Sequence, residues 1–391
     1  DLFEVDIRRF GAYAADTDWL RARTVETLGL HYAMRWPRHE LESGRPQRVS
    51  PLYERLKAKG ARFGSKFGWE RPNFFSAEAI RYTLGRPNWL DAVIEEQRAI
   101  RTAVGVIDQT SFGKLRVTGR DAPALLERAC ANRIGELTYT PMLNRKGGYE
   151  SDLTVQRLGE REFFIVTGSA QPVRDAAWLR RQVARGEDVE IEDVSGEWSV
   201  LSLLGPNAGA VLSRISLKET TRAVPASYVG GPGWELYAPI EDAAALYDRL
   251  CEAGRDLGLK DCGYYALDAL RIEAGRRAFG AELSPDCTPY EAGLGFAVKA
   301  DKPVEFIGRE ALKNAPREAL PRRLLVFTFP ATELFAWGGE PILRERAPVG
   351  ELSSVGYSAT LAGMVGMGFV HSAAPETGVQ VLAGRYEIEV S

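Results

Sequence analysis

Leu143-Asn144-Arg145-Lys146-Gly147-Gly148-Tyr149-Glu150-Ser151-Asp152 runs directly into Leu153-Thr154-Val155. Paired glycines behind an asparagine mark a turn, because glycine takes backbone angles that other residues avoid. The alternating residues that follow predict a strand over 153–158, and the turn delivers Asp152 to its start. A carboxylate there either lines a cavity or closes the turn, and these residues alone leave both readings open.

Outward from this point, strand and helix patterns alternate. Strands are predicted over 113–117, 162–167, 198–204 and 234–239, with helices over 122–131, 172–184, 208–213 and 242–254 and another starting near Gly263. Val93, Ile94, Gln97, Ile100 and Val104 recur at helical spacing and predict a helix over 90–104. A shorter helix is expected over 19–28, with Thr17 or Asp18 as its N-cap and Gly29 as its stop. Past Arg322 the character changes to short strands at 324–329, 341–343, 350–357 and 379–390, which predict a small β-barrel or jelly-roll domain. Gly363-Met364-Val365-Gly366-Met367-Gly368 reads as turns of that domain, because it lacks the strand-to-helix setting of a dinucleotide fingerprint. The class is α+β with mostly antiparallel sheet.

A chain of 391 residues is long enough for two or three domains, and 45% hydrophobic with 26% charged residues is ordinary for a globular protein. A net charge of −3 with no like-charged run points away from nucleic acid and membrane surfaces. No apolar stretch approaches the roughly 20 residues of a spanning helix. Cys130, Cys251, Cys262 and Cys287 are scattered, which argues against a zinc site or disulfide framework and for a reducing compartment. With only His31, His39 and His371 available, acid–base work falls to carboxylates or solvent. The chain opens on Asp1 without a methionine, as a fragment or processed subunit would, and 1–50 holds too little apolar pattern for a core of its own.

A second local feature is Ser227-Tyr228-Val229-Gly230-Gly231-Pro232-Gly233-Trp234-Glu235-Leu236-Tyr237, a tight loop or hairpin framed by aromatics. Glu235 alternates with Trp234 and Leu236, so it faces either solvent or a site.

Several stretches resemble the aminomethyltransferase (glycine-cleavage T-protein) family. They are 103–114 (Ala-Val-Gly-Val-Ile-Asp-Gln-Thr-Ser-Phe-Gly-Lys), the Gly-Gly-x-x-x-Asp run ending at Asp152, Leu267-Asp268-Ala269-Leu270-Arg271-Ile272-Glu273, and 289–299, with Gly338-Gly339-Glu340-Pro341 continuing the match. The N-terminal stretch, with His31 to Pro37 and Phe67-Gly68-Trp69-Glu70-Arg71-Pro72-Asn73, resembles the dimethylglycine and sarcosine dehydrogenase group. That resemblance implies a remnant of a connecting domain over 1–50, after an FAD oxidoreductase domain that this chain does not include. It implies a folate-binding aminomethyltransferase region over 51–320 and a β-barrel domain over 321–391.

The resemblance also implies the chemistry. A flavin, in the absent domain or a partner subunit, takes hydride from an N-methyl amine. The resulting formaldehyde-level carbon reaches tetrahydrofolate and forms 5,10-methylenetetrahydrofolate. Asp152 falls on the family's catalytic aspartate, Tyr139 on a wall of the folate pocket, and Tyr228 and Glu235 on its folate-binding Tyr-x-Gly-x-x-Gly-x-Glu motif, whose carboxylate accepts from the pterin. Arg271 is either a folate-binding residue or half of a structural ion pair. Gly231-Pro232 departs from the family's usual loop and removes an N–H donor. No metal, nucleic acid or membrane partner is expected. Two other activities share this scaffold: a stand-alone folate-dependent demethylase, and a non-enzymatic regulatory subunit of pyruvate dehydrogenase phosphatase. Arginine-rich composition without a transit peptide favours a bacterial cytoplasm, with the mitochondrial matrix as the alternative.

Overall fold

The computed structural model describes residues 10–315, 320–372 and 384–390. Its frame is three five-stranded sheets and one hairpin. The first sheet runs Leu137–Leu143, Tyr149–Arg157, Glu162–Thr167, Gly113–Thr118, Glu190–Asp193 in spatial order, antiparallel throughout. The second runs Arg222–Pro225, Gly233–Pro239, Trp198–Leu204, Val104–Asp108, Leu259–Asp261, and only its last pair is parallel. These pairings bear out the mostly antiparallel α+β class.

Each sheet buries one face under helices. Leu115, Val117, Leu153, Val155, Phe163 and Ile165 of the first sheet pack against Leu125 and Leu126 of the helix Ala122–Ala129 and Leu179 of the helix Pro172–Gln182. Val104, Val106, Leu201, Leu203 and Leu236 of the second pack against the helices Ala208–Ser213 and Ala243–Gly254. A strand's side chains alternate, so the other face of each sheet carries a different residue set. Those faces meet where Phe164 and Val166 contact Val200 and Tyr237.

The third sheet runs Arg322–Phe329, Gly363–His371, Ala347–Ser358, Pro341–Arg344, Glu387–Ile388, and its end strands do not pair with each other among the described residues. Here the expected turns at 363–368 are instead a strand second from one end of the sheet. Its glycines serve close approach between strands rather than chain reversal. A Cβ on Gly368 would lie 2.3 Å from the Glu351 carbonyl oxygen, beside a bulge in the facing strand between Leu352 and Ser354. Of the expected strand over 379–390, residues 379–383 lie outside the described residues, and Glu387–Ile388 forms the edge strand.

The N-terminal helix spans Thr17–Gly29 and is capped one residue earlier than expected, by Asp16, whose carboxylate accepts from the Trp19 amide at 2.7 Å. None of its residues is buried. The following segment is tied down by charge rather than by core: Arg45 grips Glu70 through Nε at 2.8 Å and Nη2 at 2.5 Å, and Arg38 lies 4.4 Å over the Tyr265 ring.

Glu96, fully buried on the helix Leu90–Thr102, accepts from the amides of Phe75 and Gly263, each at 2.8 Å. One carboxyl thereby joins the hairpin Ala61–Lys66/Trp69–Phe75 to the start of the helix Tyr264–Glu273. Burial outweighs both hydrogen bonds and pushes its pKa up to about 8. The folded state then keeps a proton that the unfolded chain has released, so stability falls as pH rises from the ordinary glutamate range toward 8. Glu96→Gln is expected to flatten the fall by at most about 1.4 kcal/mol per pH unit between pH 5 and 8 in urea melts. Equal slopes in the two proteins would refute this.

Candidate active site between two sheets

Asp152 sits in the strand Tyr149–Arg157, opposite Pro141. The turn ahead of it is held by Asn144, whose Oδ1 accepts from the amides of Lys146 at 2.9 Å and Gly148 at 3.1 Å. Gly147 has φ of +85°, and a Cβ on Gly148 would lie 1.8 Å from the Pro285 carbonyl oxygen. The turn therefore fixes register, and register decides which face Asp152 takes. Ser151, Leu153 and Val155 turn toward the helices, leaving Asp152, Thr154 and Gln156 on the face toward the second sheet.

Tyr139, from the neighbouring strand, donates its hydroxyl to Asp152 Oδ2 at 3.2 Å. Asp152 is half-buried, and burial of its carboxyl, only partly offset by the Tyr139 bond, pushes its pKa up to about 6. Burial raises the pKa of Tyr139, Tyr149 and Tyr228, and the Asp152 carboxylate raises all three further. Three phenols thus stay protonated around one carboxylate.

Tyr228 donates to the Arg277 carbonyl at 2.5 Å. Its loop, 226–232, passes through glycines at positive φ, Gly230 at +73° and Gly231 at +79°. Arg101 pins the loop by donating to the Val229 carbonyl at 2.9 Å, while the Pro232 carbonyl accepts from the Gly205 amide at 3.0 Å. Glu235 follows on the strand Gly233–Pro239 and is half-buried, not solvent-facing. The fully buried Tyr237 donates to Glu235 Oε2. Burial, against that bond, raises the Glu235 pKa.

The structure therefore brings Asp152, Tyr139 and Tyr228 together and connects Glu235 to the same inter-sheet space through Tyr237. Arg271 is placed differently. It is 4% exposed, and its guanidinium donates to Asp268 (2.8 Å), Glu282 (2.8 Å), Ser354 Oγ (2.7 Å) and the Arg276 carbonyl (3.1 Å). Burial works against its charge, but Asp268 and Glu282 outweigh that and hold its pKa above the usual value. Of the two readings open for Arg271, this geometry favours the structural ion pair over cofactor binding.

Tyr149, Gln156, Tyr237 and Arg277 belong to the same site and escape sequence reasoning. Only Tyr149 carries a signal, its place directly after Gly-Gly. Burial lowers the Arg277 pKa, and Tyr149 partly offsets it. Tyr149 Oη and Gln156 Nε2 are buried and have no hydrogen-bond partner within the protein. Buried polar atoms left unpaired cost about 1–3 kcal/mol each, so these two are open to a hydrogen-bonding ligand. Among the described residues no His, Cys, Asp and Glu group could hold a metal, and no helix is long and apolar enough to cross a membrane.

The GCVT N-terminal domain family matches residues 52–225 and 217–302, across the first two sheets, and the glycine cleavage T-protein C-terminal barrel domain matches 322–391. The chain belongs to the glycine cleavage T-protein family. The FAD dependent oxidoreductase central domain matches residues 1–50, ahead of the T-protein part. The mouse (Mus musculus) mitochondrial dimethylglycine dehydrogenase is 36% identical over 97% of this chain and 47% of its own length. The mouse mitochondrial pyruvate dehydrogenase phosphatase regulatory subunit is 34% identical over 100% of this chain and 50% of its own length. The chain thus spans about half the length of these relatives. The crystal structure of glycine cleavage system aminomethyltransferase T from Bartonella henselae superposes with a TM-score of 0.70 at 27% identity, covering 83% of this chain and 90% of that one. The GCVT N-terminal domain match, over 52–225 and 217–302, includes the strands that carry Asp152 and Glu235.

Proposed function

We propose that this chain loads a formaldehyde-level carbon onto tetrahydrofolate, forming 5,10-methylenetetrahydrofolate and releasing water from formaldehyde, or the free amine and a proton from an iminium. It would be the acceptor part of an FAD-linked N-methyl amine dehydrogenase of the dimethylglycine or sarcosine class. The observation that carries this reading is the Tyr139–Asp152 pair, a carboxyl with a pKa of about 6 set among protonated phenols. When bound, tetrahydrofolate supplies two neighbouring nitrogens that together hold the carbon. Asp152 is poised near neutrality, so it takes and returns the proton at N10 with little energetic penalty either way. Tyr139 fixes Oδ2 and leaves the other carboxylate oxygen to the ligand. Glu235, with Oε2 steadied by Tyr237, accepts from the pterin amino group and the adjacent ring N–H. Tyr228 forms a wall whose hydroxyl is already committed to Arg277.

Flavin chemistry is assigned outside this chain. The glycine-rich run at 363–368 lies inside a sheet strand, so those residues do not fit a dinucleotide. Residues 1–50, 51–320 and 321–391 would be the connecting remnant, the folate region and the barrel domain. Both mouse relatives are named as mitochondrial, and a mitochondrion or a bacterial cytoplasm would suit this chemistry.

A second reading, partner binding without chemistry, is favoured by the likeness of this whole chain to half of the regulatory subunit. Calorimetric titration with tetrahydrofolate separates the two. Saturable binding is expected, and Glu235→Ala should weaken it by roughly 1.5–3 kcal/mol, the range for hydrogen bonds to a charged group. A folded chain that binds no folate would shift the weight to the regulatory reading. Binding untouched by Glu235→Ala would remove Glu235 from the site.

A further inference from the structure

We propose that Gln156 reads the carbonyl of the pterin ring, and so sets the preference between 4-oxo and 4-amino rings. The inference rests on the folate reading above.

A 2-amino-4-oxo ring presents an amino N–H, a ring N–H and a carbonyl oxygen side by side along one edge. A carboxylate satisfies the two donors but repels the carbonyl, which needs a donor of its own. Glu235 supplies the acceptor. Tyr237 cannot supply the donor, because its single hydroxyl proton is already given to Glu235 Oε2. Gln156 stands next to it, on the opposite sheet. It is 4% exposed and pairs across the sheet with Phe164, whose ring centroid lies 5.7 Å from that of Tyr237. Its amide leans a hydrogen bond toward the Tyr237 hydroxyl, lowering that group's pKa, yet Nε2 has no partner at full contact, so an N–H remains for a ligand. Gln156 also shares a strand face with Asp152, two pleats away, about 13 Å along the strand. A ligand reaching from Asp152 toward Glu235 therefore brings its far edge to the Gln156 amide. Arg222 is another nearby side chain with buried, unpartnered nitrogens, Nε and Nη2, but its guanidinium is stacked 4.1 Å over Phe164 and 4.8 Å over Trp198.

The test is calorimetric titration of the whole chain with folate and its 4-amino-4-deoxy analogue at the same oxidation state. It compares wild type, Gln156→Leu, Gln156→Glu and Arg222→Met, each checked for folding by thermal melting. Gln156→Leu keeps the bulk and removes the donor. It should lower the 4-oxo over 4-amino affinity ratio about tenfold relative to wild type, one buried hydrogen bond's worth of discrimination. Gln156→Glu turns the donor into an acceptor and should push the ratio further toward the 4-amino ring. If Leu does not fold, the same change is read from Gln156→Met and Gln156→Glu. A ratio unchanged by every Gln156 variant overturns the assignment and leaves the folate site standing, as does a ratio that follows Arg222→Met instead. Failure of both rings to bind the folded wild-type chain overturns the folate reading itself, and this inference with it.

Discussion

Asp152→Asn in the full-length protein is expected to slow methylenetetrahydrofolate formation by about 10²–10⁴-fold, the usual loss for a positioned acid–base group. Under the proposed function, amine oxidation should stay near its wild-type rate, because that step would use residues outside this chain. Asparagine keeps the shape and the acceptor for Tyr139 at 3.2 Å but cannot take a proton. Product formation and amine oxidation falling together would refute the role. The same substitution has a separate signature in stability. With a folded pKa of about 6, Asp152 binds its proton more tightly in the fold than in the unfolded chain. Wild type therefore loses stability as pH climbs from about 4 to 6 and carries the full penalty above that. Asp152→Asn should be more stable than wild type at pH 7.5, by on the order of 1–3 kcal/mol, and equal to it near pH 4. A gain in stability beside a loss of turnover is the mark of a residue kept for chemistry rather than for folding.

Lys302→Met is expected to destabilise the fold by about 3–5 kcal/mol in urea melts, as removal of one member of a buried ionic cluster does. Lys302 is 1% exposed, and its Nζ donates to the carbonyls of Glu127 (2.5 Å), Cys130 (2.7 Å) and Asn132 (3.1 Å), with the Glu127 carboxylate at 3.0 Å. The helix Ala122–Ala129 ends here, so the ammonium satisfies terminal carbonyls and meets the negative end of the helix dipole. Methionine fills the volume and leaves those acceptors buried without a donor. Folate affinity should fall too, because the chain leaving that helix holds the strand that bears Tyr139. The Ala131 amide donates to the Pro141 carbonyl and Asn132 Nδ2 to the Tyr139 carbonyl, each at 2.9 Å. An unchanged urea midpoint would show that water replaces the cation without cost.

Much of the frame is legible in consecutive residues. The strands Glu162–Thr167 and Trp198–Leu204 and the helix Ala208–Ser213 appear at their expected bounds, because side-chain period and turn residues are local properties. The Gly-Gly turn before Asp152 is equally local, and the face that Asp152 takes follows from it. Where the pattern misled, at 363–368, glycine was serving a neighbouring strand more than its own backbone. The Asp16 cap was missed by one residue, within the range over which helix ends are ambiguous.

What lay beyond the sequence is the satisfaction of buried polar groups. Arg271 shows it most plainly. Its neighbours in the chain allow a ligand contact or an ion pair, and the choice falls to Glu282 and to Ser354, 83 residues away. Lys302 meets a carbonyl 172 residues before it for the same reason. Sequence by itself determined most of the helices, several of the strands and the family to which the Asp152 motif points. Only the tertiary structure decided which polar atoms are paired and which are left open between the sheets. Periodicity is written along the chain, whereas a buried charge or donor finds its partner only when distant segments pack and exclude water.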